Sequence, residues 1–393
     1  MSTARKKILT INSGSSSIKF SLYSLERGAE DRLLSGKLDR VGLEGGRLAA
    51  FAPDGGALID TEAEAPGHDA ALRILFDWLC ERPEGQGISG AGHRVVHGGS
   101  VYTRPHRIGP ALLDELLRLT PFATEHLPHE IKAIEAVAGR FPALPQFACF
   151  DTSFHRTMPE AAATYPLPLE LRDEGIVRWG FHGLSYEYIV SKMTETDKNA
   201  GGRMVAAHLG NGASMAAIKD GVSVDTTMGF TPAAGLMMST RCGDIDPGIL
   251  VYLMKEKGMG ADGLNELLNK KSGLLGVSGI SPAMEDLLRS TEARAALAVE
   301  IFCRQARKFI AALSTVLGGL DTLVFTGGMG ENSPEVRRRI CEGLEFMGVR
   351  VDAGRNEAGA EVISAKGSPV AVRVIKTDEE LMIARHAGRL LEG

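Results

Sequence analysis

Ile8-Leu9-Thr10-Ile11-Asn12-Ser13-Gly14-Ser15-Ser16-Ser17-Ile18-Lys19-Phe20-Ser21-Leu22-Tyr23 reads as a β-hairpin. Ile8–Ile11 is β-prone, Asn12–Ser17 is turn chemistry, and Ile18–Tyr23 alternates with a period of two. The pattern returns half a chain later. Arg203-Met204-Val205-Ala206-Ala207-His208 predicts a strand, Leu209-Gly210-Asn211-Gly212 a turn, and Ala213-Ser214-Met215-Ala216-Ala217-Ile218 a second strand. The recurrence points to an internal duplication, although hairpins are common and one repeat alone is slender ground. Helical patterns near Asp69–Glu81, over Pro110–Leu119 and after Leu127 alternate with strands at Gln146–Phe150, Thr322–Thr326 and Val370–Ile375. That alternation predicts an α/β fold. Two domains of similar topology are expected, 1–150 and 151–379, packed closely with a cleft between them.

Composition narrows the class. The 393 residues are 44% hydrophobic and 24% charged, enough to build full cores. The 47 glycines exceed the usual share of about 7% and follow no Gly-X-Y period, which excludes collagen and suggests tight loops where backbone approaches a ligand. A formal net charge of −5 excludes a polybasic nucleic-acid binder. Cys80, Cys149, Cys242, Cys303 and Cys341 are odd in number and lack CxxC spacing, as expected in a reducing compartment. The apolar run Ile8–Ile11 is too short for a signal peptide, and no run reaches membrane-span length. The expectation is a cytoplasmic protein with no membrane partner.

Several glycine-rich segments could carry chemistry. The turn from Asn12 to Lys19 offers backbone N–H groups, hydroxyls and one following cation, which suits phosphate, although an ordinary polar turn explains it equally well. No GxxxxGK[ST] occurs. His208 stands at a strand end before Asn211-Gly212, the strongest short hairpin signal. Thr326-Gly327-Gly328-Met329-Gly330-Glu331-Asn332 is read as a glycine loop between a strand and a helix from Ser333-Pro334, suited to a nucleotide but failing the GxGxxG fingerprint. Arg94 and Arg241 are read as loop arginines able to grip carboxylate or phosphoryl oxygens in pairs, or, for Arg241, simply paired to Asp244 or Asp246. Asp151 stands at the carboxyl end of a strand, where α/β sheets place ligands. Trp179-Gly180-Phe181-His182-Gly183 puts a histidine between glycines.

In this order the segments resemble the acetate kinase family, within the acetate and sugar kinase, chaperone ATPase and actin superfamily. The resemblance rests on Ile11–Lys19, Gly92–Gly99, Phe150–Pro159, Gly180–Gly183, His208–Gly212, Asp225–Pro232, Thr240–Pro247, Phe325–Asn332 and Thr377–Leu381. It implies two duplicated ribonuclease-H-like domains of the actin-like ATPase fold, the first completed by a C-terminal helix, 380–393. It also implies a homodimer and reversible transfer of the ATP γ-phosphoryl group to acetate, giving acetyl phosphate and ADP. Carried over, Arg94 holds the acyl carboxylate, Arg241 binds carboxylate and transferring phosphoryl, and His182 donates to the phosphoryl oxygens. Asp151 orients Arg241 or the substrate, since the carboxylate has no proton to lose at neutral pH. Asn12 and Glu379 hold Mg2+, for which Mn2+ can substitute, with its waters. Lys19, His208, Leu209, Gly210, Asn211, Gly212, Ala283, Met284, Glu285, Gly328, Met329, Gly330, Glu331 and Asn332 line the nucleotide. Val96, Phe181 and Pro232 form the apolar acyl pocket.

The sequence departs from the family's pattern in places. Glu125 stands where a pocket leucine is usual, and Glu285 where an arginine usually flanks the adenine. Ala234-Gly235-Leu236 and Ser239-Thr240-Arg241 replace the usual Glu-Gly-Leu and Gly-Thr-Arg. Acyl preference and nucleotide preference are therefore open, with a propionate or other short-chain carboxylate kinase as the alternative. A non-catalytic actin- or chaperone-like nucleotide switch is the alternative of another class, and it leaves the two arginine segments unexplained.

Overall fold

A computed structural model describes residues 5–26, 29–196 and 202–392, so Gly393 of the expected terminal helix lies outside the described residues. The chain divides into two compact units, Met1–Ser153 with Asp378–Gly393, and Phe154–Thr377.

The first unit is built on β1 (Lys6–Ser13), β2 (Ser17–Glu26), β3 (Ala29–Asp39), β4 (Arg47–Phe51), β5 (Ala57–Glu62), β6 (Ile88–Val95), β7 (His106–Arg107) and β8 (Gln146–Phe150). Among the described residues they form one sheet in the order β5-β4-β3-β2-β1-β6-β8-β7. The second unit carries β9 (Arg203–Leu209), β10 (Ala213–Lys219), β11 (Val222–Thr226), β12 (Thr322–Thr326) and β13 (Ala371–Val374), ordered β11-β10-β9-β12-β13. Set side by side, β3-β2-β1-β6-β8 and β11-β10-β9-β12-β13 have one topology. Each is an antiparallel meander followed by two strands parallel to its first.

Both expected hairpins form, with tighter turns than the sequence suggests. Asn12 pairs with Lys19 and Ser13 with Ile18, so only Gly14-Ser15-Ser16 turns, closed by Gly14 N–H donating to Ser17 O at 2.8 Å. Leu209 pairs with Ala213, leaving Gly210-Asn211-Gly212, closed by Gly210 N–H on Gly212 O at 3.0 Å. Asn12 and Leu209 are thus strand residues. Arg94 also proves to lie on a strand, in contrast to its reading as a loop residue. β6 runs between β1 and β8 with Gly90 to His93 buried, so its sequence lacks the alternation that marks a half-exposed strand. The Gly327–Asn332 segment is a helical turn rather than an open loop. The helix Pro334–Cys341 follows, capped by the Ser333 hydroxyl accepting from Val336 N–H.

Helices cover the sheets through apolar stripes. His68–Cys80 buries Leu72, Leu75, Phe76 and Leu79 in a core with Leu9, Ile11, Phe20 and Leu22. Each such side chain contributes about 1.5–3 kcal/mol. In the second unit, Ala293–Leu317 buries Val299, Phe302, Ala306 and Ile310, and Gly183–Thr196 packs Tyr186, Ile189 and Met193 against Met204, Ala206 and Val324. The helix Glu379–Leu390 belongs to the first unit, where Ala384 and Ala387 pack with Ile8, Tyr23 and Phe147. Gly92 on β6 permits that approach, since a Cβ there would lie 2.5 Å from Ile383 Cγ2. Gly92→Val is expected to lower unfolding free energy by about 1–3 kcal/mol in urea titrations; an unchanged midpoint and slope would show the helix is not seated through this contact.

Candidate active site

The ends of three neighbouring strands, β1, β6 and β8, bring Asn12, Arg94 and Asp151 together in the first unit. Asp151 follows β8 and its N–H donates to Val95 O at 3.0 Å, which anchors it beside β6. The Arg94 fork closes on it. Nε donates to Oδ1 at 3.0 Å and Oδ2 at 3.1 Å, and Nη2 also donates to Oδ2. Nη1 donates to Asn12 Oδ1 at 3.2 Å. Asp151 is buried, whereas the Arg94 side chain keeps 17% of its surface exposed. Burial opposes the Arg94 charge, but Asp151 and Glu379 outweigh it and hold the pKa above its ordinary value. The sequence offered Arg241 or the substrate as the partner of Asp151; the partner in this unit is Arg94.

A second carboxyl stands close by. Glu130 is buried on the helix Leu127–Arg140, and its Oε2 accepts from Val96 N–H at 3.0 Å. Burial pushes its pKa up to about 8, against the downward pull of Arg94 and the Val96 amide. Burial also raises Glu379 and Glu380 at the start of the terminal helix, partly offset at Glu379 by Arg94 and at both by Lys19. Lys19 is exposed on β2 opposite Asn12. Asp378 Oδ1 accepts from Leu381 N–H at 2.9 Å, capping that helix, and from the Tyr23 hydroxyl at 2.8 Å. Burial and the Asp378 charge push the Tyr23 pKa upward.

The second unit assembles another polar set. His182 has φ 59°, between Gly180 and Gly183, in the left-handed region that costs a non-glycine residue about 1–3 kcal/mol. It is held there from two sides. Nδ1 lies 2.8 Å from Ser214 Oγ, and the ring stacks on His208 with centroids 4.3 Å apart. Ser214 Oγ is 2.5 Å from the Tyr186 hydroxyl, and His208 Nδ1 is 2.8 Å from Ser185 Oγ. Ser185 Oγ in turn lies 2.9 Å from Thr377 Oγ1. A Cβ placed on Gly212 would come 3.3 Å from His182 Nε2 and 3.6 Å from Arg241 Nη1, so the three border one small space. Arg241 Nη1 donates to Pro232 O at 3.1 Å. Asp244 accepts from Gly235 N–H, and Asp246 caps the helix Pro247–Lys257 through Gly248 N–H, so both acids shape loops. Asn211 Oδ1 accepts from Ser239 Oγ at 3.2 Å. Glu331 Oε1 gathers Gly327 N–H at 2.9 Å, Thr377 N–H at 3.1 Å and the Thr326 hydroxyl at 3.3 Å. Glu331 therefore braces the turn in which Gly328 and Asn332 are exposed, Met329 is half-buried and Gly330 is buried.

The remaining expected residues are placed as follows. Val96 is buried in the first unit, while Phe181, buried, and Pro232, half-buried, belong to the second. Ala283 stands at the N-cap position of the short helix Met284–Arg289, where Met284 is a core residue. Glu285 is exposed and pairs with Arg289 at 2.5 Å. Glu125 is half-buried in the turn before Leu127. Sequence reasoning missed Glu130, Ser214 and Ser185. Glu130 left a signal: with Leu127, Ile131, Ile134 and Val137 it falls on the apolar stripe of its helix, where an acid is out of place.

Among the described residues no group of three or more His, Cys, Asp or Glu side chains is arranged to hold a metal. Asn12 Oδ1 and the Glu379 carboxyl are oxygen ligands of the kind a hard cation takes, one lone pair of Asn12 Oδ1 being used by Arg94. No helix among the described residues is long and apolar enough to cross a membrane.

Fold and site define an α/β kinase of the actin-like ATPase fold, a phosphotransferase. The chain belongs to the acetokinase family, whose model matches residues 7–385. It is 45% identical to the acetate kinase of Rhodopseudomonas palustris strain ATCC BAA-98 / CGA009, over 98% of each chain. Among solved structures, Porphyromonas gingivalis acetate kinase is 38% identical with a TM-score of 0.87, covering 98% of this chain and 100% of that one. A propionate kinase from Francisella tularensis is 35% identical with a TM-score of 0.92, covering 98% and 99%.

Removing Asp151 strips the half-buried Arg94 guanidinium of its buried partner. Asp151→Ala is expected to cost about 3 kcal/mol of stability, and Lys19→Ala, on an exposed position, less than about 0.5 kcal/mol. Equal losses in denaturant titrations would contradict the assigned difference in burial.

Proposed function

We propose that this chain transfers the γ-phosphoryl group of ATP reversibly to acetate, giving acetyl phosphate and ADP. The family match over residues 7–385, with relatives named acetate kinase, carries this reading. A carboxylate oxygen forms the new bond to the γ-phosphorus while the bond to the bridging oxygen of ADP breaks. No proton need move, because the acceptor is already an anion. The difficulty is joining two anions and spreading the charge on the moving phosphoryl group, which is positioning and electrostatics.

Arg94, fixed by Asp151 and Asn12, receives the acyl carboxylate on its remaining exposed surface. Asp151 acts as the anchor of that cation, not as a base. Arg241 and His182, bordering one space with Gly212, stabilise the phosphoryl oxygens, and Ser214 fixes the His182 ring. The His208–Gly212 turn, Gly328–Asn332 and Ala283–Glu285 line the nucleotide, and Val96, Phe181 and Pro232 the methyl group. Asn12 and Glu379 would hold Mg2+, which when bound neutralises phosphate oxygens. Among the described residues the five cysteines form no disulfide, in keeping with a cytoplasmic setting.

Arg241→Ala is expected to lower kcat at least about a hundredfold with the melting curve retained. Trapping acyl phosphate with hydroxylamine checks it and tests the reading as a whole. Near-wild-type turnover would remove Arg241 from the charge clamp, and ATP hydrolysis without trapped product in the wild type would favour a nucleotide switch. Run with propionate, the same assay sets chain preference: a propionate kcat/KM about tenfold above that of acetate would make the enzyme a propionate kinase.

A homodimer is supported by an exposed apolar surface on and beside the helix Pro247–Lys257, where Ile245, Ile249, Val251, Tyr252 and Met254 are uncovered. Sedimentation is expected to give a dimer that Tyr252→Glu weakens; a wild-type monomer would remove this part of the reading.

A further inference from the structure

Glu130 is a fully buried acid for which the phosphoryl-transfer scheme has no use. It lies under the carboxylate-binding residue. Its carboxyl accepts from the amide N–H of Val96, two residues beyond Arg94 on the same chain segment. The groups facing it are the Arg94 guanidinium of β6, the Val96 amide just past the end of β6 and the Asp151 carboxylate beyond β8. His68, from the neighbouring helix, stacks on His129 of the same turn. Arg94 already balances Asp151, and Glu379 also draws on its charge. A substrate carboxylate arriving there adds one negative charge, and an ionised Glu130 would add another to the same buried cluster, where like charges are poorly screened.

We infer that Glu130 is a positioning residue for the acyl carboxylate. Uncharged, it ties down the end of β6 so that Arg94 can accept a second carboxylate beside Asp151; ionised, it competes for the same guanidinium. This rests on the reading of Arg94 as the carboxylate site. Substrate binding is thereby linked to the proton on Glu130, with the neutral form favoured below about pH 8 and lost above it.

Steady-state kinetics with acetate and ATP varied separately test this. In the wild type the acetate KM is expected to rise about tenfold from about pH 7 to about pH 9 as the acid ionises, while the ATP KM stays level. Glu130→Gln keeps an oxygen for Val96 N–H but cannot ionise, so its acetate KM should stay within about twofold over that range. Glu130→Met removes the acceptor and should raise the acetate KM at every pH without moving the ATP KM. Denaturation adds a second measurement. The native state keeps this proton between the ordinary value of 4.5 and about 8, where the unfolded chain has lost it. Wild-type stability should therefore fall relative to Glu130→Gln as pH rises through that window. If the wild type forms acyl phosphate and Glu130→Gln follows its pH profile, this inference alone falls; if the wild type forms none, the reading beneath it falls as well.

Discussion

A guanidinium can be held at the end of an internal strand only if a carboxylate meets it there. Arg94 and Asp151 satisfy that condition, and much of the first unit follows from it. Bringing them together requires β6 beside β8, parallel and in a register that places Arg94 opposite Cys149, two residues before Asp151. It requires β1 on the other side of β6, so that Asn12 takes a further donor of the fork. Desolvating two charges costs several kcal/mol per ion, and a one-sided loss leaves that cost uncompensated. The pair is therefore a constraint on the sheet as much as a feature of the site. The fork is satisfied mostly by Asp151, and part of the Arg94 side chain stays exposed beyond that contact.

The repeated topology explains why polar residues gather at the same ends of both sheets. In each unit the first strand, its parallel neighbour and the strand after that finish at one edge. In the first unit that edge carries Asn12, Arg94 and Asp151; in the second it carries His208 and Thr326, followed by Thr377 beyond β13. Parallel strands buried on both faces leave only their ends for chemistry. The glycines near these ends serve this crowding. Gly327 has φ 77°, and a Cβ on it would sit 2.9 Å from Leu209 O, so the turn after β12 can close against β9 only without a side chain.

Both hairpins, the strand running into Asp151 and the helix over Pro110–Leu119 were legible because each carries a local signal: alternation, turn residues or a proline start. Arg94 misled because β6 has no exposed face and hence no alternation, so its flanking glycines dominated the reading. The Arg94–Asp151 contact spans 57 residues of sequence and leaves no local trace. Gly327–Asn332 looked like an open loop because glycine disfavours helix, a preference that Glu331, accepting three hydrogen bonds, overrides. Glu130 was missed although periodicity marks it, since an acid on an apolar stripe needs no partner to be seen.

His182 and Glu285 show how differently a departure from local rules is maintained. His182 occupies a strained conformation, and two hydrogen-bonded side chains and a stacked ring hold it, directly or through Ser214. Such convergence on one imidazole is difficult to explain by stability alone, because a glycine at φ 59° would carry no strain. Glu285 is exposed, and its charge is met one helical turn later by Arg289. An exposed pair of this kind is worth a few tenths of a kcal/mol, so the acid adds little to the fold and its charge is offset locally by its positive neighbour. The first departure is built into the packing around it, whereas the second can change without disturbing what lies beneath, which is where variation among related enzymes is physically cheapest.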